Sequence, residues 1–185
     1  MLQAIVDRRS IRNFTDQPVE EEKLQEIFQA IRLSPSWANR QCWKFIVVRD
    51  PETRRGLSQA SSPAEYYGEM SSSDYRGNPA QKAIAAAPVV LVGCANPEQS
   101  GKIRGMDYYL VDMGIAVENI MLTAASLGLG SVFVGVFSES RVKALLGIPQ
   151  DIRVVSLVPM GYPARIPEPR ARRELADIVV EGAWK

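Results

Sequence analysis

The stretch YLVDMGIAVENIMLTAASL, residues 109–127, decides how the rest of the chain must be arranged. It has no proline, and its apolar residues (Leu110, Met113, Ile115, Val117, Ile120, Met121, Leu122) recur on nearly every side of a helical wheel. A helix of that kind is either buried or part of a subunit interface. Gly128 and Gly130 follow it as a helix C-cap and tight turn. Working outward, Val132–Phe137 reads as a strand, Arg141–Leu146 as a short helix stopped by Gly147 and Pro149, and Val154–Met160 as a last internal strand. Upstream, Val89–Val92 is an all-apolar run between Pro88 and Gly93, a buried strand, and Phe45–Val48 is another. Pro51–Ser58 reads as a short helix. Leu24, Ile27, Phe28 and Ile31 fall at helical spacing between Pro18 with Glu20–Glu22 and Pro35, a clear amphipathic helix. A short N-terminal helix carries Leu2, Ile5 and Val6 and ends near Arg9. Four internal strands mixed with helices, without regular βαβ alternation, give an α+β fold with a buried helix packed on a central sheet.

The chain has 185 residues, 46% hydrophobic and 23% charged, so a single domain spanning 1–185 with a proper core is expected. Residues 61–78, rich in Ser and Gly, read as a long loop or lid. Residues 163–185 begin as an extended arm, because Pro163, Pro167 and Pro169 rule out a helix there. Lys and Arg number 22 against 21 Asp and Glu, and the net charge of +1 gives no global pull toward nucleic acid or an anionic membrane. No membrane or targeting segment stands out. The count of histidine is 0, which excludes Ser-His-Asp and Cys-His catalysis and the histidine-containing zinc sites. Two distant cysteines, Cys42 and Cys94, exclude a disulfide framework and a cysteine metal cluster, and they suit a reducing, cytoplasmic setting. With so few protein nucleophiles, the hard chemistry of any enzyme built on this chain belongs to a cofactor.

Four clusters could bind one. Arg8-Arg9-Ser10-Ile11-Arg12 places three guanidiniums and a hydroxyl within five residues, suited to a phosphate but equally to a solvated basic helix end. Pro35-Ser36-Trp37-Ala38-Asn39-Arg40-Gln41-Cys42-Trp43 offers amide donors and acceptors beside two indoles, or simply a turn with a core Trp. Phe133-Val134-Gly135-Val136 carries a glycine within a strand, a mark of close approach by a ligand or another backbone. The G-x-G of Gly128 and Gly130 follows a helix rather than a strand, so a Rossmann site is rejected. Arg165, Arg170, Arg172 and Arg173 on the tail could fold back onto the same anion as Arg8–Arg12.

These pieces, in this order, resemble the FMN-dependent nitroreductase family. Arg8, Ser10 and Arg12 match its opening R-x-S-x-R/K motif, with Arg9 in the variable place. Pro35, Ser36, Asn39, Gln41 and Trp43 match P-S-x-x-N-x-Q-P-W, with Cys42 where proline is usual. Asp112, Gly114, Ala116, Glu118 and Asn119 resemble its central helix. Residues 127–137 resemble G-L-G-S-x-W-x-G-x-F, with Phe133 where Trp is common.

The resemblance implies a nitroreductase-like central sheet flanked by helices, and a homodimer with FMN at the interface. It also implies an extended C-terminal arm that wraps the partner subunit. It implies that Arg8, Arg9, Ser10 and Arg12, with Arg170 and Arg172 from the tail, hold the phosphate end of FMN. Pro35, Ser36 and Asn39, from the other subunit, would flank the ring, and Phe133, Val134, Gly135 and Val136 would present backbone to its N5 edge. NAD(P)H, as NADH or NADPH, would reduce the flavin in a ping-pong cycle completed by a small acceptor: a nitroaromatic, a quinone, or an unsaturated or halogenated compound. No side chain is expected to be catalytic and no metal is expected. Trp37, Tyr66, Tyr67 and Tyr75 are candidates for stacking on the acceptor. Two alternatives stay open: a flavoenzyme of the same fold with another reaction, such as dehalogenation or flavin breakdown, and a non-catalytic FMN-binding protein.

Overall fold

The computed structural model describes residues 1–62 and 78–184. Its centre is a four-stranded antiparallel sheet of β1 (Trp43–Val48), β2 (Val89–Ala95), β6 (Arg153–Gly161) and β5 (Gly130–Ser131), in that spatial order. Between β2 and β5 the chain forms a two-stranded hairpin, β3 (Lys102–Ile103) and β4 (Met106–Asp107), which the sequence analysis did not foresee. β2 is buried along its whole length, so its run of apolar residues serves both faces of the sheet. Val89, Leu91 and Ala95 join one core with Leu24, Ile27, Met113, Val117 and Ile120. Val90, Val92 and Cys94 join a second core with Leu57, Ile84, Val142 and Leu157. Among the described residues six helices supply the rest: α1 (Gln3–Asp7), α2 (Glu21–Arg32), α3 (Pro51–Ala60), α4 (Gln81–Ala86), α5 (Tyr108–Ser126) and α6 (Glu139–Leu146).

α5 is the expected long helix. It buries Tyr109, Asp112, Met113, Ala116, Val117, Ile120, Met121 and Ala124, while Leu110, Val111 and Ile115 remain exposed along one stripe. It ends in a Schellman turn: the amide of Leu129 donates to Ala124 O at 2.8 Å and that of Gly128 to Ala125 O at 3.1 Å. Gly128 stands at φ +77°, a conformation costly for a side chain. Gly130 plays no part in that turn. Its Cα lies against Ile11, where an added Cβ would come within 2.5 Å of the Ile11 side chain.

The expected strand Val132–Phe137 needs correction. Pairing lapses after Ser131 and returns only as a bridge between Val134 and Leu157. The cause is Pro159, which faces Val132: its carbonyl accepts from the Val132 amide at 3.4 Å, but it has no N–H to return a bond. The N-terminal helix is also shorter than read, ending at Asp7. No helix among the described residues is long and apolar enough to cross a membrane.

Candidate functional site

The segment from Ser10 to Thr15 is sewn between the edge of the sheet and the start of the tail. Ser10 bridges Ser131 in parallel register, and the Ile11 amide donates to Ser131 O at 2.9 Å. Thr15 N donates to Tyr162 O and Ala164 N to Asn13 O, both at 2.9 Å. These bonds carry the tail back over the N-terminal arginines. The result is a cleft of about 260 Å³ lined by Arg8, Arg9, Ser10, Arg12, Pro167, Glu168, Arg170 and Arg172. Arg165 and Arg173 do not line it. Five guanidiniums and one carboxylate line it, a positive balance suited to an anion.

The arginines are not equivalent. Arg9 turns back on α1 and donates to Val6 O at 2.7 Å and Arg8 O at 2.9 Å, satisfying carbonyls at the helix end. Arg8 lies 3.7 Å from the exposed Glu118 carboxylate on α5. Arg12 is held by one bond, Nη1 to Ser10 O at 3.3 Å, and its Nε is buried with no partner among the described residues. A buried donor left alone costs about 1–3 kcal/mol, so such an atom marks the place of a missing acceptor.

The second motif forms a tight 3-10 turn, Trp37–Asn39, with Ala38, Asn39 and Gln41 all in the left-handed region at φ 45°, 56° and 49°. Non-glycine residues in that region cost of order 1–3 kcal/mol each and persist where the surroundings over-determine them. Asp112 is what over-determines them here. It is 2% exposed, and its carboxylate accepts from Trp37 N at 2.8 Å, Ser100 Oγ at 2.8 Å and Cys42 Sγ at 3.5 Å. Within the turn, Ser36 Oγ accepts from Gln41 N at 2.9 Å, and Gln41 Nε2 donates to Asn39 O and Oδ1 at 3.2 Å. Seven residues along α5, Asn119 donates to Ser34 Oγ at 2.8 Å. Burial pushes the Cys42 thiol up to about 11, helped by the Asp112 carboxylate. Trp37 lies against Tyr108, ring centroids 4.6 Å apart and tilted by 53°.

Asp112 and Glu118 are six residues apart, so they point about 120° from each other around α5. The two motifs therefore sit on different sides of one helix. None of Pro35, Ser36, Trp37 or Asn39 lines the arginine cleft.

The third motif leaves Ser131 and runs along the sheet edge. Val134 is buried and exchanges both backbone bonds with Leu157 at 2.9 Å, while Phe133 and Gly135 face outward. In extended chain the amides of Phe133 and Gly135 point away from β6. From Ser131 to Gly135 such a chain covers about 13 Å. An anion held beside Ser10 thus leaves room for a planar ring further along the same edge.

Tyr66, Tyr67 and Tyr75, and nearly all of the expected 61–78 loop, lie outside the described residues. Its ends are described: Asn78 Nδ2 donates to Ser61 O at 3.0 Å and Val136 O at 2.9 Å. Sequence reasoning missed Asn78, Glu168 and the anchoring part of Asp112. Only Asp112 carried a signal, as a carboxylate in an apolar helix. A larger cleft of about 410 Å³, between β1 and the turn at Gly147–Asp151, contains Cys42, Trp43 and Cys94 but no other residue of the singled-out clusters.

An α+β sheet with an arginine cleft at its edge and a strained Asn-bearing turn beside a buried helix has the makings of an anion-binding α+β protein. The model of the nitroreductase family matches residues 5–162, and the chain belongs to that family. It is 39% identical to a protein of Archaeoglobus fulgidus with the provisional name NADH dehydrogenase/NAD(P)H nitroreductase, over 88% of this chain and 84% of the relative. The crystal structure of a nitroreductase family protein from Clostridium novyi NT superposes with a TM-score of 0.78 at 33% identity, covering 87% of this chain and 83% of the other. The NADPH:FMN oxidoreductase of Vibrio harveyi complexed with NAD+ superposes with a TM-score of 0.82 at 28% identity, covering 99% of this chain and 77% of the other.

Proposed function

We propose that this chain is a single-domain, FMN-dependent oxidoreductase that works as a homodimer, takes reducing equivalents from NAD(P)H and passes them to a small acceptor in a ping-pong cycle. The observation that carries this reading is the arginine cleft, with the buried, partnerless Nε of Arg12 inside it. Its donor set fits the phosphate monoester of FMN, which carries nearly two negative charges and takes forked guanidinium contacts. FMN held there would supply the hydride and electron chemistry, which no side chain of this site provides.

The residues of the chain bind and orient. Arg12, Ser10, Arg170 and Arg172 hold the phosphate, and Arg8 adds charge from beside Glu118. Arg9 contributes mainly by closing α1. Along Phe133–Val136 the outward amides of Phe133 and Gly135 would offer fixed donors toward the N5 edge, where negative charge grows on reduction; preorganised donors are effective in a site that excludes water. Ser36 and Asn39 reach the ring from the partner subunit, which agrees with their placement across α5 from the cleft. Trp37 and Tyr108 would then form an aromatic wall for a nitroaromatic, quinone or similar acceptor.

The dimer reading is supported by unpartnered apolar surface. Leu110, Val111 and Ile115 form an exposed stripe on α5, and Leu175, Ile178, Val179, Val180 and Trp184 are exposed on the tail. A single protomer gains nothing from leaving these in water. The arm is read as wrapping the neighbour, with Ile178–Val180 seated there.

The test is absorbance of the protein purified without added cofactor, followed by NADH or NADPH without air. Bands near about 450 nm that bleach support the reading. Bands that persist point to a flavin-binding protein without this turnover. A colourless protein that also fails to take up FMN overturns it.

A further inference from the structure

Asn78 belongs to none of the motifs, yet its carboxamide joins three segments of the chain. Its Nδ2 donates to Ser61 O at 3.0 Å and to Val136 O at 2.9 Å, and its Oδ1 accepts from Ala80 N at 3.1 Å at the start of α4. All three bonds of the side chain go to backbone, so its position is fixed by main chain rather than by mobile side chains. On the other side of Gly135, Val134 is held by its two bonds with Leu157. Gly135, with the most freely turning backbone of the edge, is therefore clamped at both neighbours. Further along, the Ser138 amide is bonded to Ala60 O at 2.8 Å.

We propose that Asn78 is a positioning residue for the flavin-facing edge: by holding the Val136 carbonyl it fixes the Val136–Phe137 peptide and, with Val134 pinned to Leu157, keeps Gly135 between two anchored residues so that its outward N–H stays aimed at the bound ring. This rests on the flavin reading of Phe133–Val136 given above. A donor that is already aimed loses nothing to reorganisation when charge develops beside it.

The test compares Asn78→Ala and Asn78→Gln with Ser58→Ala in the full-length protein. Alanine removes both donors, and glutamine carries them on a longer stem that cannot reach both carbonyls in the same geometry. Ser58 Oγ donates to Gln81 O at 2.8 Å, so Ser58→Ala cuts a neighbouring tie between α3 and α4 without touching Val136. Two readouts are taken: amide hydrogen exchange at Val134 and Ser138, whose amides are bonded on either side of Val136, in flavin-free protein, and the midpoint potential and visible band of flavin in the loaded protein. In Asn78→Ala, exchange rises about tenfold, the equivalent of one lost hydrogen bond. The potential and band shift, while the FMN dissociation constant stays within about threefold because the phosphate cleft is intact. Ser58→Ala stays at wild type in all of these.

Wild-type exchange and potential in both Asn78 variants overturn the proposal, and so does a Ser58→Ala shift of equal size. If Asn78→Ala does not accumulate folded, Asn78→Gln decides by the same readouts. A wild-type protein that binds no FMN overturns the flavin reading instead, a result separable from the others because the exchange measurement needs no flavin.

Discussion

Arg12→Ala separates an anion site from a merely basic surface, because it moves two quantities in opposite senses. In the free protein the Arg12 Nε is buried without a partner and one bond, to Ser10 O at 3.3 Å, orients the group. Leaving that donor unsatisfied costs about 1–3 kcal/mol. A phosphate oxygen placed against it removes that cost, and the relief is part of the roughly 1.5–3 kcal/mol that the charge-assisted bond is worth. Alanine deletes both the donor and its penalty. The FMN dissociation constant therefore rises about 10- to 100-fold, since each 1.4 kcal/mol is a factor of ten. The flavin-free protein keeps its thermal midpoint or gains a few degrees, at roughly 2–4 °C per kcal/mol for a chain of this size. Arg12→Lys falls between, because an ammonium keeps the charge and loses the fork. The assay strips flavin from each variant, titrates FMN by fluorescence quenching, and records melting with and without FMN. An FMN affinity within about twofold of wild type would refute the assignment. So would a flavin-free midpoint that falls as far as the flavin-bound one, for then Arg12 holds the fold and not the ligand.

Three further outcomes are expected. Truncation after Tyr162 removes Arg170, Arg172 and the exposed apolar residues of the tail together; sedimentation should show loss of the dimer and absorbance the loss of flavin, and a stable yellow truncated dimer would refute the arm. Asp112→Ala leaves Trp37 N, Ser100 Oγ and the left-handed turn without their anchor, and should lower the melting midpoint by about 6–12 °C, the equivalent of roughly 3 kcal/mol. Asp112→Asn, which keeps an acceptor, should lose about half as much; a wild-type midpoint in Asp112→Ala would show the turn to be held by something else. Burial raises the Cys42 and Cys94 thiols from 9.0 to about 11, so their neutral forms are favoured in the folded state. Their contribution is fully present below about pH 9 and is lost as pH rises from 9 to 11; denaturant melts across that window should show stability falling, less steeply in a Cys42→Ala, Cys94→Ala protein.

The elements most legible in sequence were those with a strong local signal. The helix Tyr108–Ser126 was readable because its apolar residues surround it, and β2 because an all-apolar run fits only a strand buried on both faces. Arg170 and Arg172 could be singled out by spacing, and the cleft includes them while leaving out Arg165 and Arg173. Val132–Phe137 misled, because its β-branched residues read as strand while the missing partner, the absent N–H of Pro159, lies 22 or more residues further along the chain. The hairpin Lys102–Asp107 escaped because a turn built on Arg104 and Gly105, both at positive φ, has only two paired residues on each side and no apolar alternation.

The candidate site divides along the same line. The parts themselves are legible locally: the basic triplet around Ser10, the Ser36–Gln41 turn, the edge at Gly135, and the lack of any histidine, which moves the chemistry to a cofactor. Residue type and short-range order carry that information, because they set charge, donor capacity and turn conformation locally. Which parts share a space emerges from the folded chain. The bonds from Ser10–Thr15 to Ser131 and Tyr162 fold the tail over Arg12 and leave its Nε buried and alone. Asp112 pins the strained turn on a different side of α5 from that cleft, and Asn78 reaches 58 residues along the chain to hold Val136. Such pairings depend on loop closure and packing between distant segments, and no local pattern of residues encodes their geometry.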